Sequence, residues 1–97
     1  MGSARRPKPK KLAKKLLQIR TRLGLTQVEM AQRLGDIPSP PQPAHISRFE
    51  QGAREPSLLA LLAYSRLAGV SMETLVDDDL ELPEKLRERR IRRRLTP

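Results

Sequence analysis

The chain has 97 residues, no cysteine and a formal net charge of +9. That length makes one small domain with little core to spare. The lack of cysteine excludes disulfides, a Cys-ligated zinc finger and a thiol nucleophile, and it is compatible with a reducing cytoplasm, where the protein is expected to act.

The charge is concentrated towards the two ends. Residues 1–11 carry five basic side chains and no acidic one, and residues 85–97 carry seven basic side chains against Glu88. Between them, residues 12–84 hold eight Lys and Arg against ten Asp and Glu, so that part is mildly acidic. A nucleic-acid reading must therefore rest on the arrangement of residues inside 12–84 and not on the high pI.

Residues 1–11 are interrupted by Pro7 and Pro9 and offer no apolar pattern to bury, which reads as a flexible basic arm. No apolar segment follows the charged start, so it is no secretory signal. Met1-Gly2 resembles the opening of a myristoylation motif, but Arg6 stands where Ser or Thr is needed. The longest apolar run, Leu58 to Tyr64, is too short to span a bilayer.

From Lys11 to Leu23 the apolar positions Leu12, Leu16, Ile19 and Leu23 recur every three or four residues. This spacing predicts an amphipathic helix that ends at Gly24, with Lys14, Lys15 and Arg22 off the stripe. Leu25 precedes Thr26 and can act as a hydrophobic staple towards Met30. Thr26 with Glu29 has the capping-box spacing, and Val28, Ala31 and Leu34 share a face of the helix that follows. Gly35 is expected to end that helix in a left-handed conformation.

Pro38, Pro40 and Pro41 keep the segment 35–42 from being helical and stiffen it. Pro43 then opens a helix at a position where its missing N–H costs nothing, and Gly52 stops it. At about 100° per residue, Ile46, Phe49 and Glu50 fall on one side of this helix and Ala44, Arg48 and Gln51 on the other. Ser47 and His45 flank the second group. The first side can pack. The second is small, polar and basic, and it fits the major groove, where base edges offer acceptors to Arg and Gln and a thymine methyl to Ala.

After Gly52, Ser57 is a good N-cap for a helix with one stripe of Leu58, Leu61, Leu62, Ser65 and Ala68 and a second of Leu59, Ala63 and Leu67, ending at Gly69. Ser71 caps a short helix carrying Met72, Leu75 and Val76. The run Asp77–Asp79 lacks the central Gly and distal Glu of a calcium loop and reads as solvated acid that makes the domain dipolar. Pro83 opens a last Arg-rich piece, helical or disordered. Glycines fall where four predicted helices end, which supports an all-α bundle of five short helices between basic N- and C-terminal tails.

With IRTRLGLTQVEMAQRLG, ISRFEQGAREPSL and LAGVSMETLV in view, the chain resembles the Cro- and lambda-repressor-like (XRE) helix-turn-helix family over roughly residues 12–80. The resemblance implies a lambda-repressor-like five-helix DNA-binding bundle over 12–82, with 83–97 as an Arg-rich tail. It implies that Gln27 touches a phosphate and braces the recognition helix. It places Ala44, Arg48, Gln42 and His45 towards the bases, with Ser47 beside them. It places Gln51 and Arg54 on the DNA backbone, to which Lys14 and Lys15 are also assigned. Arg20 and Glu50 match a pair that forms a partly buried salt bridge in relatives. The Pro-rich insertion, about five residues longer than the family's usual turn, bears on where the recognition helix starts. Ser65 and Ala68 stand where relatives usually carry Ala and Leu.

These residues point to a sequence-specific transcriptional regulator, a repressor by occupancy, acting on double-stranded DNA. Relatives bind two half-sites as dimers about one helical turn apart. A homodimer here would use Met72, Val76, Leu80 and the Leu59/Leu67 stripe. The alternative is a protein-binding module such as the antitoxin of a toxin–antitoxin pair. No cofactor, metal or membrane partner is expected. An enzyme is not, because His45 is the only histidine and no nucleophile, base or ligand set assembles around it.

Overall fold

The protein is described here by a computed structural model covering residues 8–86. Residues 1–7 of the expected arm and 87–97 of the expected tail lie outside the described part. Five helices follow in order: α1 (Leu12–Arg22), α2 (Gln27–Arg33), α3 (Pro43–Gln51), α4 (Leu58–Ala68) and α5 (Met72–Val76). α3 packs against both α1 and α2, and α5 packs against α1 and α4. The core lies where these faces meet, with Leu16, Ile19, Met30, Leu34, Ile46, Tyr64 and Leu75 fully buried. Burying an aliphatic side chain of this size contributes about 1.5–3 kcal/mol.

The helix ends follow the local chemistry. Thr26 Oγ1 accepts the Glu29 N–H at 3.0 Å, and Glu29 Oε1 accepts the Thr26 N–H at 2.8 Å, so the capping box is closed in both directions. Ser57 and Ser71 cap α4 and α5 through Ala60 and Thr74. Gly24, Gly52 and Gly69 adopt positive φ, as expected for αL stops. Gly35 does not; the residue with positive φ in this region is Ser39, at 50°. The chain leaves α2 through a turn over Leu34–Asp36 and reverses later, between Pro38 and Pro40. The expected left-handed stop at Gly35 is thus replaced by a reversal inside the Pro-rich insertion, where the flanking prolines fix φ of their own residues and leave Ser39 the adjustable one.

Two packing faces differ from the sequence pattern. On α2, Met30 is fully buried and Leu34 is 1% exposed, whereas Val28 is 53% exposed. The face is centred on the i, i+4 pair Met30/Leu34 and not on Val28/Ala31. On α4, Ala60, Leu61, Tyr64, Ser65 and Ala68 point inward, and Leu58 and Leu59 stay exposed. Buried Ser65 is satisfied within its own helix, its Oγ donating to Leu62 O at 2.9 Å. The Tyr64 hydroxyl is buried with no hydrogen-bond partner among the described residues, and burial pushes its pKa above the ordinary phenol value.

The acidic run 77–79 is not merely solvated. Asp78 Oδ2 and Oδ1 accept the backbone N–H groups of Lys10 and Lys11 at 2.9 and 3.0 Å, closing a loop of nearly seventy residues and capping the start of α1. Asp77 Oδ1 accepts the Asp79 N–H at 2.9 Å. The bound N–H groups of Lys10 and Lys11 hold the Asp78 carboxyl below the usual carboxylate range, and the backbone and hydroxyl of Thr26 do the same for Glu29. Each group's folded pKa is depressed, so its contribution is full above the unfolded value and is lost as pH falls through the folded value. The melting temperature should therefore hold down to about pH 5 and fall below about pH 4. In Asp78→Ala, amide exchange at Lys10 and Lys11 should become fast at neutral pH. Unchanged protection there would remove the Asp78 clasp from this account.

Candidate nucleic-acid interface

α3 is positioned by one buried polar cluster. Arg20, on α1, donates from Nε to Glu50 Oε2 at 2.6 Å and from Nη2 to Glu50 Oε1 at 2.9 Å. Its Nη1 donates to Leu25 O at 3.0 Å. Gln27 Nε2, at the start of α2, donates to Glu50 Oε1 at 3.2 Å. The Glu50 side chain is only 5% exposed and that of Arg20 16%. The bond to Glu50 raises the Arg20 pKa above its ordinary value, opposed by burial. Three helices thus meet on one carboxylate, and the two-point Arg–carboxylate geometry fixes the rotation of α3 about its axis.

That rotation buries Ile46 and Phe49 and leaves Ala44, Arg48 and Gln51 exposed on the opposite side. The helix starts where the sequence puts it, with Gln42 extended at the N-cap and Pro43 as first residue. Gly52, at φ 75°, ends it; any Cβ there would also meet Ala13 Cβ at 3.7 Å. Ser47 Oγ accepts from Gln51 Nε2 at 3.2 Å, so two polar groups of the outer face brace one another. His45 is half-buried and turns to the flank. Its Nδ1 accepts the Gln42 N–H at 3.0 Å, which leaves Nε2 for any other partner. Arg54 follows α3 on an exposed loop whose N–H groups return to Arg48 O.

The two lysines of α1 separate. Lys14 is exposed. Lys15 is 4% exposed, and its Nζ donates to Thr74 O at 2.7 Å and to Asp77 O at 2.9 Å. Its assignment to the DNA backbone is corrected: the ammonium is spent on the carbonyls at the end of α5. Lys15→Ala should cost about 1–3 kcal/mol of stability through those unpaired carbonyls, and should leave the salt dependence of any DNA binding unchanged. A flatter salt slope in a stable Lys15→Ala protein would return it to the phosphates. Nothing in the local pattern marked Lys15, because a lysine between apolar stripes usually snorkels to water.

The Pro-rich insertion folds back over α4. Pro38 and Leu59 line both a cleft of about 480 Å³ shared with Ile37 and Leu67 and one of about 710 Å³ shared with His45 and Arg54.

Two short helices whose second member is locked by a buried ion pair and presents a polar face define a helix-turn-helix domain. The chain matches the model of the Helix-turn-helix family over residues 16–75. It belongs to that DNA-binding family, of the Cro- and lambda-repressor-like (XRE) type. Among solved structures it is similar to the P22 c2 repressor protein in complex with synthetic operator 9T in the presence of Tl+, at 24% identity and a TM-score of 0.61. The match covers 70% of this chain and 96% of that one, and it shows the same lambda-repressor-like all-α fold. A comparison with curated proteins returned no match. No helix among the described residues is long and apolar enough to cross a membrane.

Proposed function

We propose that the protein is a sequence-specific DNA-binding transcriptional regulator, acting as a repressor by occupancy. α3 enters the major groove, and α2 lies across the backbone. One observation carries this reading: the Arg20–Glu50–Gln27 cluster aims the exposed Ala44/Arg48/Gln51 face of α3 away from the core. Arg48 is the base reader, suited to guanine O6 and N7, with Ala44 against a thymine methyl. Gln42, His45 and Ser47 stand at the edge of that face. Gln27, Gln51, Arg54 and Lys14 contact phosphates and set register. The similarity to a repressor bound to its operator supports the same partner, double-stranded DNA.

The test is selection of bound duplexes from a random pool near physiological salt, where charge-driven binding is weak. A palindromic consensus with half-sites about one turn apart would support both recognition and a dimer. Binding without consensus that vanishes as salt rises would overturn the reading. The exposure of Leu58, at 71%, and Leu59, at 45%, favours a second reading, a protein partner such as a toxin. That reading requires a stable complex that forms without DNA.

A further inference from the structure

We infer that His45 is a positioning residue of the recognition helix: its neutral imidazole fixes the entrance of α3 through the Gln42 N–H, and DNA recognition requires that bond. The inference rests on the groove reading above. It adds to it the side chain that holds the start of α3 and the protonation state that recognition needs.

The entrance is short of backbone donors. Pro40, Pro41 and Pro43 carry no N–H, so Gln42 has the only one in residues 40–43. The His45 ring takes it, Nδ1 accepting at 3.0 Å. The peptide groups answer in the other direction. The His45 N–H donates to Gln42 O at 2.8 Å, and the Ile46 N–H donates to the same oxygen at 3.1 Å. Gln42, extended at the N-cap, is thus held at both of its backbone polar groups by the first turn of α3. The prolines fix φ of their own residues, and a residue before proline is kept out of the helical region. Upstream, Pro41 is buried and Ser39 carries the positive φ of the insertion. The His45 ring is therefore the side-chain tie between this stiff insertion and the helix that enters the groove.

An acceptor at Nδ1 sets the chemistry of the ring. A neutral imidazole that accepts at Nδ1 carries its proton on Nε2, whereas an imidazolium donates at both nitrogens. Protonation turns an N–H at Nδ1 against the Gln42 N–H, and the bond is lost. In the free protein the loss costs little, because Gln42 is exposed and water can take its N–H. On DNA the start of α3 is covered, and an N–H left there without an acceptor costs the desolvation of the group. The effect of protonation therefore falls on binding and not on folding.

No other side chain confuses the readout. His45 is the only histidine of a chain without cysteine, and histidine alone changes charge between about pH 5 and pH 8 when unperturbed. The charged groups that share its cleft are Arg54 and Glu55, one of each sign, from the loop after α3. The insertion and the first turn of α4 bring none into that cleft, and neither do α1 and α2. On α3 itself Arg48 lies one turn further on. Arg48 and Arg54 repel an imidazolium, and Glu55 attracts it. DNA phosphates would attract it too, which gives the opposite dependence on pH to the one inferred here.

The test uses the full-length protein and the selected duplex near physiological salt, at about pH 7.5 and about pH 5.5, on either side of the ordinary imidazole value. Affinity should fall by at least about fivefold at the lower pH, the effect of one unsatisfied N–H, while the melting temperature holds. His45→Gln keeps an acceptor at the capping-box position and does not titrate. Whatever its affinity at the higher pH, that affinity should be the same at the lower. In isotope-labelled protein, a scalar coupling across the hydrogen bond should join the Gln42 amide to His45 Nδ1 at the higher pH and vanish at the lower. Equal affinity of the parent at both, tighter binding at the lower pH, or a His45→Gln protein that keeps the parent's pH dependence would overturn the inference and leave the groove reading standing. So would a missing coupling at the higher pH, or a melting temperature that falls together with affinity. Failure to select any consensus at the higher pH would overturn the groove reading, and this inference with it.

Discussion

Glu50→Ala should lower the stability of the domain by about 3 kcal/mol, seen as a fall in melting temperature of more than about 10 °C. The size follows from what Glu50 holds. Its two oxygens accept three hydrogen bonds, two from Arg20 and one from Gln27. The carboxylate is nearly buried, and the guanidinium facing it is 16% exposed. Removing the carboxylate leaves that cation without its anion while Arg20 Nη1 stays tethered to Leu25 O, so the group cannot swing fully into water. A lost partner of a buried pair costs more than the pair contributes, because the desolvation of the survivor is no longer offset. Arg20→Ala should fall by a similar amount, and the double variant by less than the sum of the two. An unchanged melting curve for Glu50→Ala would mean that apolar packing alone sets the rotation of α3.

That pair shows what the sequence made legible. Arg20 and Glu50 are thirty residues apart, and only a family resemblance joined them; periodicity could place Glu50 beside Ile46 and Phe49 but could not say what it met. The caps at Thr26, Ser57 and Ser71 and the stops at Gly24, Gly52 and Gly69 were readable because each depends on one or two neighbouring residues. Gly35 misled because the reversal can occur anywhere in a stretch with three prolines, and the positive φ falls at Ser39, between two of them. α4 is apolar almost all round, so no stripe distinguished the buried Tyr64 from the exposed Leu58. Lys15, Asp78 and Arg22 had to await coordinates for one physical reason. Each is a charged side chain whose partner is a backbone group fifty-nine or more residues away, and backbone groups leave no mark in a sequence.

Arg48→Ala should weaken binding to the selected site by about 1–3 kcal/mol, roughly fivefold to 150-fold, and relax preference at one base pair only. Arg48 is the basic residue on the exposed face of α3, one turn after Ala44 and one turn before the stop at Gly52. A guanidinium there can reach two acceptors of one guanine edge in the major groove at once, which lysine cannot imitate with a point charge. Arg48→Lys should therefore retain phosphate attraction and lose most of the base preference. The alternative role for Arg48, a phosphate contact, predicts a different pattern. It would weaken every sequence alike and make the salt slope shallower by about one. Competition titrations with the consensus and with a duplex altered at one position, at two salt concentrations, separate the roles. Because Glu50 and not Arg48 holds the helix in place, Arg48→Ala should melt within about 0.5 kcal/mol of the parent. Loss of binding with an unchanged melting curve would then report on recognition alone, whereas a large drop in stability would show that Arg48 also supports the fold.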